Sequence, residues 1–244
     1  MTTGLSQRSD LPAGYEEIIT EDGSSTLFST RFGEACHSTT GARAETLLHY
    51  IEGCRIKEKA QNETLTILEV GFGLGLGLLT TYEETKNLPA KIFFLSLEID
   101  PELVKWFSET YKDHPLFHDP KFSFHVVIGD ARKELPNYLL QNPVKWNAIY
   151  QDAFSPKRNP VLWTREWFTL LREHSCPDVL LSTYSASSSI RKSLVEAGWK
   201  LYAGEKFGPK RTSTRAKLTG ETENAITESL ARSPAKALTD KDLT

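Results

Sequence analysis

The chain has 244 residues, 39% hydrophobic and 25% charged, enough apolar material to close one full α/β core with appendages. Its formal net charge of −3 excludes a globally basic surface of the kind that grips long nucleic acid, so any such contact must be local. Cys36, Cys54 and Cys176 are far apart and form no C-x-x-C pair, and the six histidines are scattered, which argues against a disulfide framework and predicts no metal.

The opening, MTTGLSQRSDLPAGY, lacks the charged-then-apolar profile of a signal peptide, and no stretch sustains the roughly 18 apolar residues of a membrane span. A cytoplasmic protein with no membrane partner is expected. Residues 15–31, YEEIITEDGSSTLFSTR, read as two short strands around an E-D-G-S-S turn. From Thr40 to Cys54, the apolar residues Ala44, Leu47, Leu48 and Ile51 follow helical spacing, with Gly53 near the stop. Residues 1–55 are thus expected to form a hairpin-and-helix extension, a candidate lid.

The main domain is expected over 56–220. LTILEV, KIFFLSLE, FSFHVVI, KWNAIYQD and DVLLSTY read as strands, separated by helices near 74–84, after Asp100-Pro101, near 131–141 and near 164–172. A helix near 187–197 and two strand-like segments around WKLYAGEKF and RTSTRAKL complete it. Strands alternating with helices predict an α/β fold with a mostly parallel, doubly wound, Rossmann-like sheet. Residues 221–244 are polar with few large apolar groups and are expected to remain a flexible tail.

The first strand runs into LEVGFGLGLG, residues 68–77. Glycines at the first strand-to-helix turn let backbone approach a ligand closely at the carboxyl end of the strand. A dinucleotide fingerprint starting at Gly71 would need glycine at the position of Leu76, so the spacing is G-x-G-x-G, the form associated with S-adenosylmethionine. Glu98, at the tip of the second strand, can accept both ribose hydroxyls of an adenosine. Asp130, after the third, can accept from an adenine amino group or simply cap the helix starting at Ala131. Glu69, Gly71, Gly73, Gly75, Glu98, Asp130 and Ala131 are therefore the candidate cofactor positions, and S-adenosylmethionine the expected cofactor.

The fourth strand ends in YQDAFSPKRNPVLW. Asp152 can hold an amine and take or relay its proton, and the stiff aromatic turn Phe154-Ser155-Pro156 offers a ring for a planar base. Lys157 and Arg158, followed by Asn159, are candidate phosphate contacts, or plain solvated charges. A second basic cluster near the C-terminal strands holds Lys206, Lys210, Arg211, Arg215 and Lys217.

DAFSPKRNPVLWT, LLSTYSASSSIRKSLVEAGW, GPKR, LEVGFGLGLG and RFGEACHSTTGARAET together resemble the MnmC-like tRNA methyltransferase family, from about Asp22 to Lys217. The resemblance implies a class I S-adenosylmethionine-dependent methyltransferase acting on the primary amine of 5-aminomethyl-(2-thio)uridine at the tRNA wobble position. It implies Asp152 as the catalytic aspartate and Lys210-Arg211 as a basic pair for tRNA, with no obligate protein partner evident. It also implies a stand-alone methyltransferase, without the flavin-dependent oxidase half of bifunctional relatives. Leu74 and Gly77 stand where that family often has Thr and Asn, and Pro209 where a second glycine is common. The alternatives are a small-molecule amine methyl- or aminopropyltransferase of the same fold, which the basic DAFSPKRNP loop disfavours for a polycation, and a non-catalytic adenosylmethionine- or RNA-binding module.

Overall fold

The computed structural model describes residues 11–21, 23, 25–37, 41–62, 64–205 and 213–243. The main sheet has seven strands. In spatial order they are β6 (Phe122–Ile128), β5 (Ile92–Glu98), β4 (Leu65–Val70), β7 (Trp146–Gln151), β8 (Ser175–Thr183), β10 (Thr214–Lys217) and β9 (Lys200–Ala203). β4 through β8 pair parallel, and β10 lies antiparallel to both β8 and β9. The chain runs outward from β4 to β6 and then returns to place β7 on the other side of β4. The crevice at the carboxyl ends of β4 and β7 is the topological switch point, where ligands of doubly wound sheets bind.

The central strands are apolar along nearly their whole length because helices cover both faces. Side-chain alternation sorts them into two cores: Leu68, Val70, Leu95 and Leu97 face one side, Leu65, Ile67, Ile92 and Phe94 the other. The short α2 (Ile56–Lys59), α3 (Leu76–Thr85) and α4 (Pro101–Thr110) cover the second face, where Ile56, Leu78, Tyr82 and Phe107 are buried. α5 (Ala131–Gln141), α6 (Arg165–Glu173) and α7 (Ser188–Glu196) cover the first. Side-chain caps start α4 and α6: Asp100, where the sequence expects a cap, accepts from the Glu102 N–H at 3.0 Å with Pro101 in the first turn, and the Thr164 hydroxyl accepts from the Trp167 N–H at 3.2 Å.

Three expectations change. The N-terminal hairpin gains a third strand: β1 (Tyr15–Ile19), β2 (Ser25–Ser29) and the two-residue β3 (Glu34–Ala35) form one antiparallel sheet. The helix expected over Thr40–Cys54 is α1 (Ala42–Thr46), which widens into π-helical turns over Leu47–Glu52. Its buried residues are Ala42, Glu45, Thr46, His49, Tyr50 and Ile51, whereas Ala44 is exposed. Of the residues in the apolar spacing, Ile51 is buried and Leu47 packs against the same core, whereas Ala44 is exposed and Glu45, beside it, lines the site's cavity. Tyr50, Ile51 and Cys54 nonetheless belong to the same core as β4, so this helix is built into the main domain.

Residues 221–243, expected as part of a flexible tail, are packed against the domain. α8 (Asn224–Arg232) follows β10 and buries Ile226 and Leu230 in the core that holds Trp199 and Leu201. Beyond it, the Leu238 carbonyl accepts from the Arg165 N–H at 2.8 Å, and Asp240 pairs with Arg132 and donates its N–H to Glu166 at 2.9 Å. A few well-placed apolar residues suffice when a ready-made groove receives them. Ile226→Ala is expected to lower unfolding free energy by about 2–3 kcal/mol, the cost of an emptied core site. A chemical-denaturation midpoint unchanged from wild type would show that α8 contributes no packing.

Candidate active site

The turn after β4 brings the backbone of two strands together. Gly71 adopts φ +100°, and a Cβ there would lie 2.6 Å from the Asp152 carbonyl oxygen. Only glycine fits. The Asp152 N–H in turn donates to the Val70 carbonyl at 3.0 Å, which locks the exit of β7 against the glycine turn. Gly73 points the other way: nothing lies within 4 Å of a Cβ placed on it, and it lines a cavity of about 490 Å³. That volume lies within the range of small-molecule sites.

Two predicted acids stand at the strand tips beside this turn. Glu98 is nearly buried, accepting from the Gly73 N–H at 3.0 Å through Oε2 and from the Asp100 N–H at 2.9 Å through Oε1. Burial pushes its carboxyl above the usual range, and these backbone donors oppose that rise. Each oxygen retains acceptor capacity toward the cavity. Asp130 lines the same cavity while its Oδ1 caps α5, accepting from the Arg132 N–H at 3.0 Å, so its two proposed roles are compatible.

The DAF turn after β7 is held by partners from four other elements. Tyr50, delivered by the π-helical turns, donates its hydroxyl to Asp152 Oδ1 at 2.5 Å and stacks on Tyr150 with centroids 5.1 Å apart. Tyr184, just after β8, donates to the Ala153 carbonyl at 2.8 Å, and the Trp163 indole donates to the Phe154 carbonyl at 2.9 Å. Glu34 on β3 accepts from the Ser155 N–H at 3.0 Å. The Ala153 carbonyl is thus already engaged. The carboxylate of Asp152, which lines the cavity, is the group that can hold an incoming amine.

Of the sequence-predicted positions, Gly71, Gly73, Glu98, Asp130, Ala131, Asp152, Phe154 and Asn159 line this one cavity. Others lie elsewhere. Gly75 is needed for packing: a Cβ there would meet the Phe107 ring at 2.4 Å. Glu69, expected at the cofactor, is turned away from the cavity and buried under α3, where its Oε2 accepts from the Ser96 hydroxyl at 2.7 Å. Burial pushes its carboxyl well above the usual range, with Asp152 and Glu98 adding repulsion. Gly77 makes room for it, since a Cβ at that position would stand 1.9 Å from Glu69 Oε1. Ser155, Pro156, Lys157 and Arg158 sit outside the cavity lining, with Lys157 and Arg158 exposed. Lys206, Lys210 and Arg211 lie outside the described residues.

The cavity also contains residues that the sequence did not single out by chemistry. Phe32, Glu34, Cys36, His37 and Glu45 line it from the N-terminal segment, and Tyr184 from the turn after β8. The Phe32 and Phe154 rings stack at 4.6 Å and 24°. Among the described residues no lysine or arginine lines the cavity, so the basic loop does not set its charge. Burial pushes His37 down to about 4 and Cys36 up to about 12, helped at Cys36 by the carboxylates of Glu98, Asp152 and Glu34. At neutral pH the imidazole is uncharged and the thiol protonated. The carboxylates dominate, and the arrangement suits binding a cation and accepting a proton.

Residues 98–219 match the profile of a family described as S-adenosyl-L-methionine-dependent methyltransferase. The tRNA 5-methylaminomethyl-2-thiouridine biosynthesis bifunctional protein MnmC of Azoarcus sp. (strain BH72) is 28% identical over 227 residues, covering 82% of this chain and 35% of that protein. The protein of the same name from Cupriavidus metallidurans (strain ATCC 43123 / DSM 2839 / NBRC 102507 / CH34) is 27% identical, covering 83% and 34%. The chain therefore spans about a third of the length of these curated relatives. Among solved structures, MNMC2 from Aquifex aeolicus superposes with a TM-score of 0.78 at 32% identity, over 94% of this chain and 80% of that one. The O-methyltransferase TomG from Streptomyces achromogenes, in complex with SAM, shares the fold at TM-score 0.52 and 15% identity, over 74% and 81%.

Gly77→Ala is expected to cost about 1–3 kcal/mol of stability through overpacking against the buried Glu69. Equal denaturation midpoints for wild type and variant would mean that the Glu69 side chain is free to move aside.

Proposed function

The chain belongs to the S-adenosyl-L-methionine-dependent methyltransferase family, and we propose that it methylates the primary amine of a 5-aminomethyl-uridine, thiolated or not at position 2, in the wobble position of tRNA. On the thiolated base the product would be 5-methylaminomethyl-2-thiouridine, the nucleoside named in its curated relatives. The observation that carries this reading is Asp152: a carboxylate fixed by the Tyr50 hydroxyl at 2.5 Å, lining the same cavity as the glycine turn and Glu98. A tRNA substrate brings with it the expectation of a cytoplasmic enzyme.

The residues fit an adenosyl cofactor. Gly73 leaves open space where any other residue would project a side chain, and Glu98 offers carboxylate oxygens toward that space, oriented by two backbone N–H groups. Gly71, Gly73, Glu98, Asp130 and Ala131 are assigned to hold it. When bound, S-adenosylmethionine supplies a sulfonium methyl group, to which a nitrogen lone pair adds as the carbon–sulfur bond breaks.

The rest of the chemistry falls to this chain. A primary alkylamine is mostly protonated at neutral pH and has no lone pair to offer until a proton leaves. Asp152 binds the ammonium and is positioned to accept or pass on that proton, which is general-base work. Its attraction alone would stabilise the charged, unreactive form, so the value of the aspartate lies in orientation as much as in basicity. Tyr50 fixes that orientation through Oδ1, and Tyr184 and Trp163 fix the turn on which the aspartate is mounted. Phe154 offers a ring to the uracil plane, and Lys157, Arg158, Asn159, Lys210 and Arg211 are assigned to the flanking tRNA.

With labelled S-adenosylmethionine and tRNA from cells lacking wobble methylaminomethylation, wild type is expected to place label in a 5-methylaminomethyl-uridine after nucleoside digestion. Asp152→Ala should lower the rate at least about a hundredfold while cofactor binding by calorimetry persists. Label in small amines and none in tRNA would overturn the assignment. Tyr50→Phe should slow transfer by about tenfold to a hundredfold, the usual penalty for a misplaced reacting group, with Asp152 still in place. A wild-type rate in that variant would remove Tyr50 from the positioning machinery.

A further inference from the structure

Resting on the reading above, we propose that Phe32, in the turn between β2 and β3 and outside the family-matched residues 98–219, is a positioning residue for the substrate: it stacks behind Phe154 and holds that ring as the platform for the planar base bearing the amine. Both rings are half-buried, both line the cavity, and they stack at 4.6 Å and 24°. Phe32 is itself held between Phe154 and the Arg31 guanidinium, 5.3 Å over its ring, so the surface for the π-face of a base is that of Phe154 turned away from Phe32.

The turn between β2 and β3 that carries Phe32 is attached directly to the loop after β7. Glu34 accepts the Ser155 N–H at 3.0 Å, and the Arg158 guanidinium donates to the Gly33 carbonyl at 3.5 Å. Phe32 is thereby held over Phe154 by the same contacts that roof the cavity.

The surrounding chemistry defines what the platform would accept. Apolar rings lie beside the carboxylates of Glu34, Glu45 and Asp152, and no described lysine or arginine lines the cavity. A flat uncharged ring with a short cationic arm fits this combination. A phosphate does not. The exposed cations Arg31, Lys157 and Arg158 lie outside the lining, on the segments that carry the two phenylalanines. The nucleotide would therefore enter base first, with its backbone left at the rim, as in enzymes that take a base out of its stack before acting on it.

The test is steady-state methyl transfer to the same tRNA by wild type, Phe32→Ala and Phe32→Tyr, with cofactor affinity measured by calorimetry and thermal midpoints recorded. Phe32→Ala is expected to raise KM for tRNA about tenfold, the scale of one disturbed base–aromatic stack, with cofactor affinity within about twofold of wild type. Phe32→Tyr should restore KM. Wild-type activity with an unchanged KM in Phe32→Ala would overturn the platform alone. So would a loss that appears equally in cofactor affinity and thermal midpoint, because Phe32 would then merely roof the fold. A wild type that labels no tRNA nucleoside would overturn the wobble reading and the platform with it.

Discussion

Everything at the candidate site depends on how closely the ends of β4 and β7 approach. With no side chain at Gly71, the Asp152 carbonyl occupies the space a Cβ would need, 2.6 Å away, and the Asp152 N–H reaches Val70. The turn that would hold a cofactor and the turn that would hold an acceptor therefore share a backbone contact. A reaction between two bound molecules gains most when neither has freedom to drift. That gain is built here into main-chain geometry, before any side chain contributes.

Buried polar groups then restrict the acceptor turn. The carbonyls of Ala153 and Phe154, the N–H of Ser155 and the carboxylate of Asp152 each meet a named partner. The partners come from residues 34, 50, 163 and 184, which are distant from one another in sequence. A site assembled this way is rigid only when the whole domain is folded, and three of its partners, Tyr50, Trp163 and Tyr184, carry rings that also pack. Stability and site geometry thus rest on the same aromatic residues.

Charge divides the molecule in a way that the near-neutral total conceals. The cavity is carboxylate-rich, its histidine is neutral and its cysteine protonated, while cations stand on the loops around it. An interior that favours an ammonium and an exterior that tolerates phosphate are compatible on one nucleic-acid substrate, because base and backbone occupy different regions.

Much of this was legible in the sequence. Continuous apolar runs separated by amphipathic segments announced the parallel sheet, and G-x-G-x-G, Glu98, Asp130 and Asp152 fell at strand ends, where turn chemistry and ligand chemistry both demand special residues. Local rules reach that far because each involves neighbours in the chain. Only the tertiary structure decided that Glu69, one residue from the strand end, faces away toward Ser96, since a one-residue step along a strand reverses the side chain. Only it revealed that the inward face of residues 42–52 mixes Glu45, Thr46 and His49 with apolar residues, that Tyr50 meets Asp152 across a hundred residues, that Phe32 covers Phe154, and that the polar C-terminal stretch packs through Ile226 and Leu230. Those outcomes depend on contacts between segments remote in sequence, and no periodicity within one segment encodes what another will place against it.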